Sequence, residues 1–181
     1  MENSNILTSA NYYNIPLFGS HCLENQSIVV PIHIDLYGYT IIVIYNTTKE
    51  DFLKALEDLS ISIPDEIDYV CKNLFDISKS NDYGKYIHLY NENYSFLMIS
   101  KFPNTPSSIG ILMHEIFHAT TFILDKIGMK LKLLKSDEAY AYLQQYITTE
   151  IFNVINIIYN SNEKESSNEE LTFFDNNENE K

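Results

Sequence analysis

The sequence predicts an α+β domain, a small, mostly antiparallel sheet packed against several helices, and three observations carry that expectation. Short alternating or β-branched runs come in pairs, at 28–44 and again at 86–100. Four longer stretches instead repeat their apolar residues at helical spacing. With 45% hydrophobic and 20% charged side chains in 181 residues, one sizeable core can form, which excludes a mainly disordered or fibrous chain.

In order, residues 1–27 are rich in Asn, Ser and Tyr without a period and read as an irregular arm. From Ile28 the side chains alternate, with Ile32, Ile34 and Leu36 on one face and His33 and Asp35 on the other. Gly38 supplies a turn, and the run Thr40 to Ile44 completes a hairpin. Thr47-Thr48-Lys49-Glu50 has capping-box spacing and opens a helix over about 49–59, carrying Phe52, Leu53, Leu56 and Leu59. Pro64 suits the first position of a second helix whose stripe is Ile67, Val70, Cys71, Leu74 and Phe75. Tyr86–Tyr90 and Tyr94–Ser100 flank Asn91-Glu92-Asn93 as a second hairpin. Thr105 as N-cap and Pro106 as first residue then begin a helix that Gly128 ends, and another follows Ser136 to about Tyr159.

The domain is thus expected over 28–160, followed by an acidic, disordered tail at 161–181, where seven acidic side chains stand against two lysines. Leu171, Phe173 and Phe174 interrupt that tail as incidental apolar residues or as a short docking element for a protein partner. The net charge of -13 has the wrong sign for holding nucleic acid or an anionic membrane. No basic segment followed by an apolar one opens the chain, and Pro31, His33, Asp35 and Gly38 interrupt the most apolar stretch. A soluble, cytoplasmic protein is the expectation. Cys22 and Cys71 form no CxxC pair and read as core thiols in a reducing compartment.

One segment carries chemistry, His114-Glu115-Ile116-Phe117-His118. On a helix, residues i and i+4 share a face, so the two imidazoles can address one ion from consecutive turns. Glu115 is turned away by about 100° and suits a general base acting on a water beside that ion. The surrounding apolar residues, from Ile109 to Ile127, mark a core helix in which these polar groups need a compensating partner, and a metal ion is one. Position 121 is Thr and position 124 is Leu, so a third histidine from the same segment is excluded. A downstream carboxylate is the substitute. Glu138 lies on the next helix beyond Gly128, beside the small residues Ala139 and Ala141, where an antiparallel return would bring it toward the pair. The helix macrodipole is by itself a sufficient reason for an acid there.

With these residues the chain resembles the zincin metallopeptidases, in particular the Glu-zincin branch, over roughly 85–150, and in size the compact zincins of phages and mobile elements. The resemblance implies Zn2+ bound by His114, His118 and Glu138. It implies Glu115 as the base toward a water whose pKa zinc lowers to about 7, and a protein or peptide substrate added as a strand along the sheet edge, here Tyr94–Ser100. The usual NExxxD form around the third ligand is not matched, since Asp137 precedes Glu138 and Tyr142 stands four residues after it. Oxyanion stabilisation falls to Tyr140, Tyr142, Tyr146 or His88, of which Tyr142 shares a helical face with Glu138. Asp125 and Asp137 are candidates to orient a ligand imidazole. Two functions follow as expectations: a zinc-dependent peptidase, or a zincin-fold binding or structural protein with weak turnover, such as a virion component or regulatory partner.

Overall fold

The computed structural model describes residues 27–62, 65–75, 84–99 and 101–175, with the side chains of the last helix described as far as Asn156. The element order is β1 (Ile28–Ile34), β2 (Tyr39–Tyr45), α1 (Lys49–Asp58), α2 (Ile67–Phe75), β3 (Lys85–His88), β4 (Tyr94–Ile99), α3 (Pro106–Lys126) and α4 (Asp137–Asp175). The class is α+β, and the sheet is mixed. Its strand order is β1-β2-β4-β3, with β1–β2 and β3–β4 antiparallel and β2–β4 parallel.

The first hairpin forms because Gly38 takes a left-handed conformation, φ 56°, closing a single 3₁₀ turn over Asp35–Tyr37. Leu36 lies in that turn and is 83% exposed, so the alternation expected through it ends at Ile34. The helix cap at α1 falls one residue later than expected: the Thr48 hydroxyl accepts from the Asp51 N–H. Thr47 instead is buried, and its hydroxyl donates to the Tyr45 carbonyl at 2.8 Å. The stripe of α2 is as expected, although Pro64 lies outside the described residues, as do residues 1–26 of the arm at 1–27, Cys22 among them.

The parallel pairing of β2 with β4 changes the role of the second hairpin. Tyr94–Ile99 is an interior strand flanked by β2 and β3, and the sheet ends at β3. The expectation that Tyr94–Ser100 is the substrate-bearing edge is therefore corrected. The composition agrees: Tyr-Ser-Phe-Leu-Met-Ile is buried at almost every position, as a central strand must be, whereas the short, more polar Lys-Tyr-Ile-His suits an edge.

Helices cover both faces. Phe52, Leu56, Val70, Leu74 and Phe96 pack one side of the sheet under α1 and α2. Ile41, Val43, Leu97, Ile116, Ile123 and Ile147 pack the other under α3 and α4. By length and composition α3 could cross a membrane, yet its apolar face packs on this sheet. α4 continues to Asp175, through part of the segment expected to be irregular. No Pro or Gly occurs from Asp137 onward to interrupt it.

Candidate active site

The site is built on α3. Thr105 and Ser108 form a reciprocal capping box, each side chain accepting from the other's backbone N–H, and Pro106 occupies the first turn. Leu112, Ile116, Ala119 and Ile123 face the sheet. His114 and His118 stand about 160° around the helix from Ile116, so the same periodicity that buries the core residues turns both imidazoles to solvent.

Their Nε2 atoms are 3.0 Å apart, with ring planes at 84°. Two nitrogens bound to one tetrahedral zinc at about 2.0–2.1 Å lie about 3.3 Å from each other. The pair thus fits two positions of such an ion within a few tenths of an ångström.

Glu115 is turned inward and is 7% exposed. It packs against Gly84, the residue that leads into β3. A Cβ at Gly84 would lie 2.7 Å from the Glu115 Cγ and 3.1 Å from the Met98 carbonyl oxygen, so only glycine leaves room for the carboxylate arm.

A cleft of about 710 Å³ opens over this face of α3. Tyr86 and His88 of the edge strand line one part of it, Glu115, His118 and Phe122 come from α3, and Tyr140 comes from α4. His88 stacks on Phe122 with ring centroids 4.1 Å apart. Burial lowers the His88 pKa, which keeps the ring neutral near pH 7 and able to donate one N–H. Burial, followed by the neighbouring Tyr39, raises the Tyr86 phenol well above the usual range; its hydroxyl points into the core beside Tyr39 and Ser95, and its ring lines the cleft.

The remaining expected residues lie elsewhere. Glu138 is exposed on the first turn of α4, about 160° around the helix from the inward-facing Tyr140. Among the described residues no group of three or more His, Cys, Asp or Glu side chains is disposed to hold a metal ion, so Glu138 does not join the imidazole pair in this arrangement. Tyr142 is 68% exposed and does not line the cleft. The Tyr140 hydroxyl donates to the Met129 carbonyl at 2.9 Å, and that of Tyr146 to the His33 carbonyl at 2.8 Å, so both are engaged by backbone. Of the four expected oxyanion donors, His88 lines the cleft with its ring uncommitted to backbone. Asp125 also lines the cleft, but among the described residues no hydrogen bond links it or Asp137 to either imidazole.

Sequence reasoning missed Gly84 and Tyr86. One signal existed for the first, a glycine at the mouth of a strand in a chain with only five, where close approach of a neighbour is the usual cause. None existed for Tyr86, one of 14 tyrosines. No family model matches the chain, and no match is found among curated proteins or solved structures.

Proposed function

We propose that the chain is a zinc-dependent peptidase in which His114 and His118 are ligands and Glu115 is the general base, with Glu138 drawn to the pair as third ligand when the ion binds. The observation that supports it is the 3.0 Å approach of the two imidazole nitrogens on a solvent-facing turn, with His118 and the HExxH glutamate both at the wall of one cleft. Zinc bound there supplies Lewis acidity, lowering the pKa of a coordinated water toward about 7. Glu115 receives the proton of the attacking water, and its packing on Gly84 restricts it to one direction. His88, from the edge strand, lines the cleft as the donor toward the developing negative charge. The side of β3 left unpaired among the described residues, in place of β4, offers backbone groups to an extended peptide.

Among the described residues no third ligand stands beside the pair, which favours a second reading, a zincin-like binding or structural protein with weak turnover. Metal analysis and peptide hydrolysis separate the two. Zinc is expected to co-purify at about one ion per chain, to be lost in His118→Ala, to be retained in Glu115→Gln and to bind more weakly in Glu138→Gln. Cleavage should disappear in Glu115→Gln. A metal-free parent chain, or unchanged cleavage in Glu115→Gln, overturns the peptidase reading. Zinc without hydrolysis supports the second, and unchanged zinc affinity in Glu138→Gln removes that residue from the ligand set.

A further inference from the structure

The net charge of -13 hides one local reversal. Between Lys126 and Ser136 the connection from α3 to α4 contains Lys126, Lys130, Lys132 and Lys135 and no acid, in a chain with 12 basic residues altogether. At its apex Leu133 is 82% and Leu134 94% exposed, and Tyr90, 79% exposed, lies at the same end of the molecule, since Lys126 donates to the Tyr90 carbonyl.

These leucines are held out by structure. The Ser136 hydroxyl accepts from the Lys132 N–H at 2.8 Å and donates to the Lys130 carbonyl at 2.7 Å, and the Lys135 and Ser136 N–H groups both return to the Lys132 carbonyl at 3.0 Å. The turn so formed puts Leu134 at φ 61°, a left-handed conformation that a leucine adopts only at a cost. No packing within the described residues offsets that cost, which points to an environment outside the chain.

We propose that this loop docks the protein on an anionic lipid surface, with Leu133 and Leu134 inserted at the headgroup boundary and Lys132 and Lys135 against acidic headgroups. A convex apex with two adjacent leucines finds no preformed socket in water, whereas a lipid interface accommodates any convex shape, and lysines beside apolar residues are what such a surface selects. The acids that bracket the loop, Asp125, Asp137 and Glu138, belong to helical turns at its base. The acidic end of α4 begins at Glu163, about 39 Å along the helix from Asp137, several screening lengths away at physiological salt. The proposal is independent of zinc and of peptidase activity, but because Lys130 and Leu131 line the cleft, docking would hold the cleft close to the lipid surface.

The test is flotation of the full chain with vesicles of phosphatidylcholine alone or with about 30% phosphatidylserine, at low and high salt. The parent chain should float with the mixed vesicles, less so as salt rises, and not with phosphatidylcholine alone. Leu133→Ser with Leu134→Asn should weaken vesicle affinity at least about tenfold while leaving thermal stability unchanged or raised, since asparagine tolerates the left-handed conformation. Lys132→Glu with Lys135→Glu should weaken it similarly and flatten the salt dependence. Neither pair touches the cleft lining. Failure to float with mixed vesicles, or flotation that survives both double substitutions, overturns the proposal. Binding of an acidic, aromatic peptide such as residues 167–176 of this chain at the loop, without flotation, would make it a protein-docking surface instead and equally overturns it.

Discussion

Glu115 and Gly84 illustrate how one side chain's direction depends on the absence of another. The carboxylate arm crosses the backbone that leads into β3, where a single added methyl group would sit 2.7 Å from it. The Met98 carbonyl, 3.1 Å from the same point, prevents the strand from yielding. Gly84→Ala is therefore expected to displace Glu115 and to reduce peptide hydrolysis by about 10²-fold while zinc content stays at the parent level. Parallel metal analysis and turnover measurements check this, and equal turnover would mean that the contact does not orient the base. Overpacking at this position should also cost about 1–3 kcal/mol of stability, measured by urea unfolding.

Among the elements, α3 carries both the core stripe and the histidine pair, and its start sets the rotation of both. Its capping box leaves Thr105 and Ser108 reciprocally bonded at the entrance to the helix. Thr105→Ala should destabilise the domain by about 1 kcal/mol, as a lower urea midpoint with an unchanged slope. Because the histidines lie two to three turns further on, zinc binding should survive that substitution. The edge strand β3 contributes in the opposite way, through exposure: among the described residues its four residues pair only with β4, which leaves Tyr86 and His88 beside α3 and an unpaired backbone edge next to the cleft.

At the scale of the molecule, two apolar clusters sandwich a four-stranded sheet, and Ile155 is the last member of either cluster among the described side chains. Helical backbone continues to Asp175, and beyond Asn160 the sequence is charged and rich in Asn and Ser, with no sustained core pattern. Truncation after Asn160 is thus expected to shift Tm by no more than about 2 °C, as checked by calorimetry, and a larger drop would assign the end of α4 a structural role. The same truncation removes the whole acidic tail, so it should leave vesicle binding intact or strengthen it.

Local chemistry was legible in the sequence. Both hairpins, the Thr105–Pro106 helix start, the Gly128 stop and the shared face of His114 and His118 follow from contacts a few residues apart, where spacing alone sets geometry. Leu36 and the α1 cap were misjudged by a residue or two because neighbouring sites offered nearly equal local fits. Only the folded chain decided that β4 lies inside the sheet and β3 at its edge, and that Gly84 meets Glu115. Each of these depends on segments brought together across long stretches of chain, where the outcome is a competition among whole packing arrangements that no short-range pattern encodes.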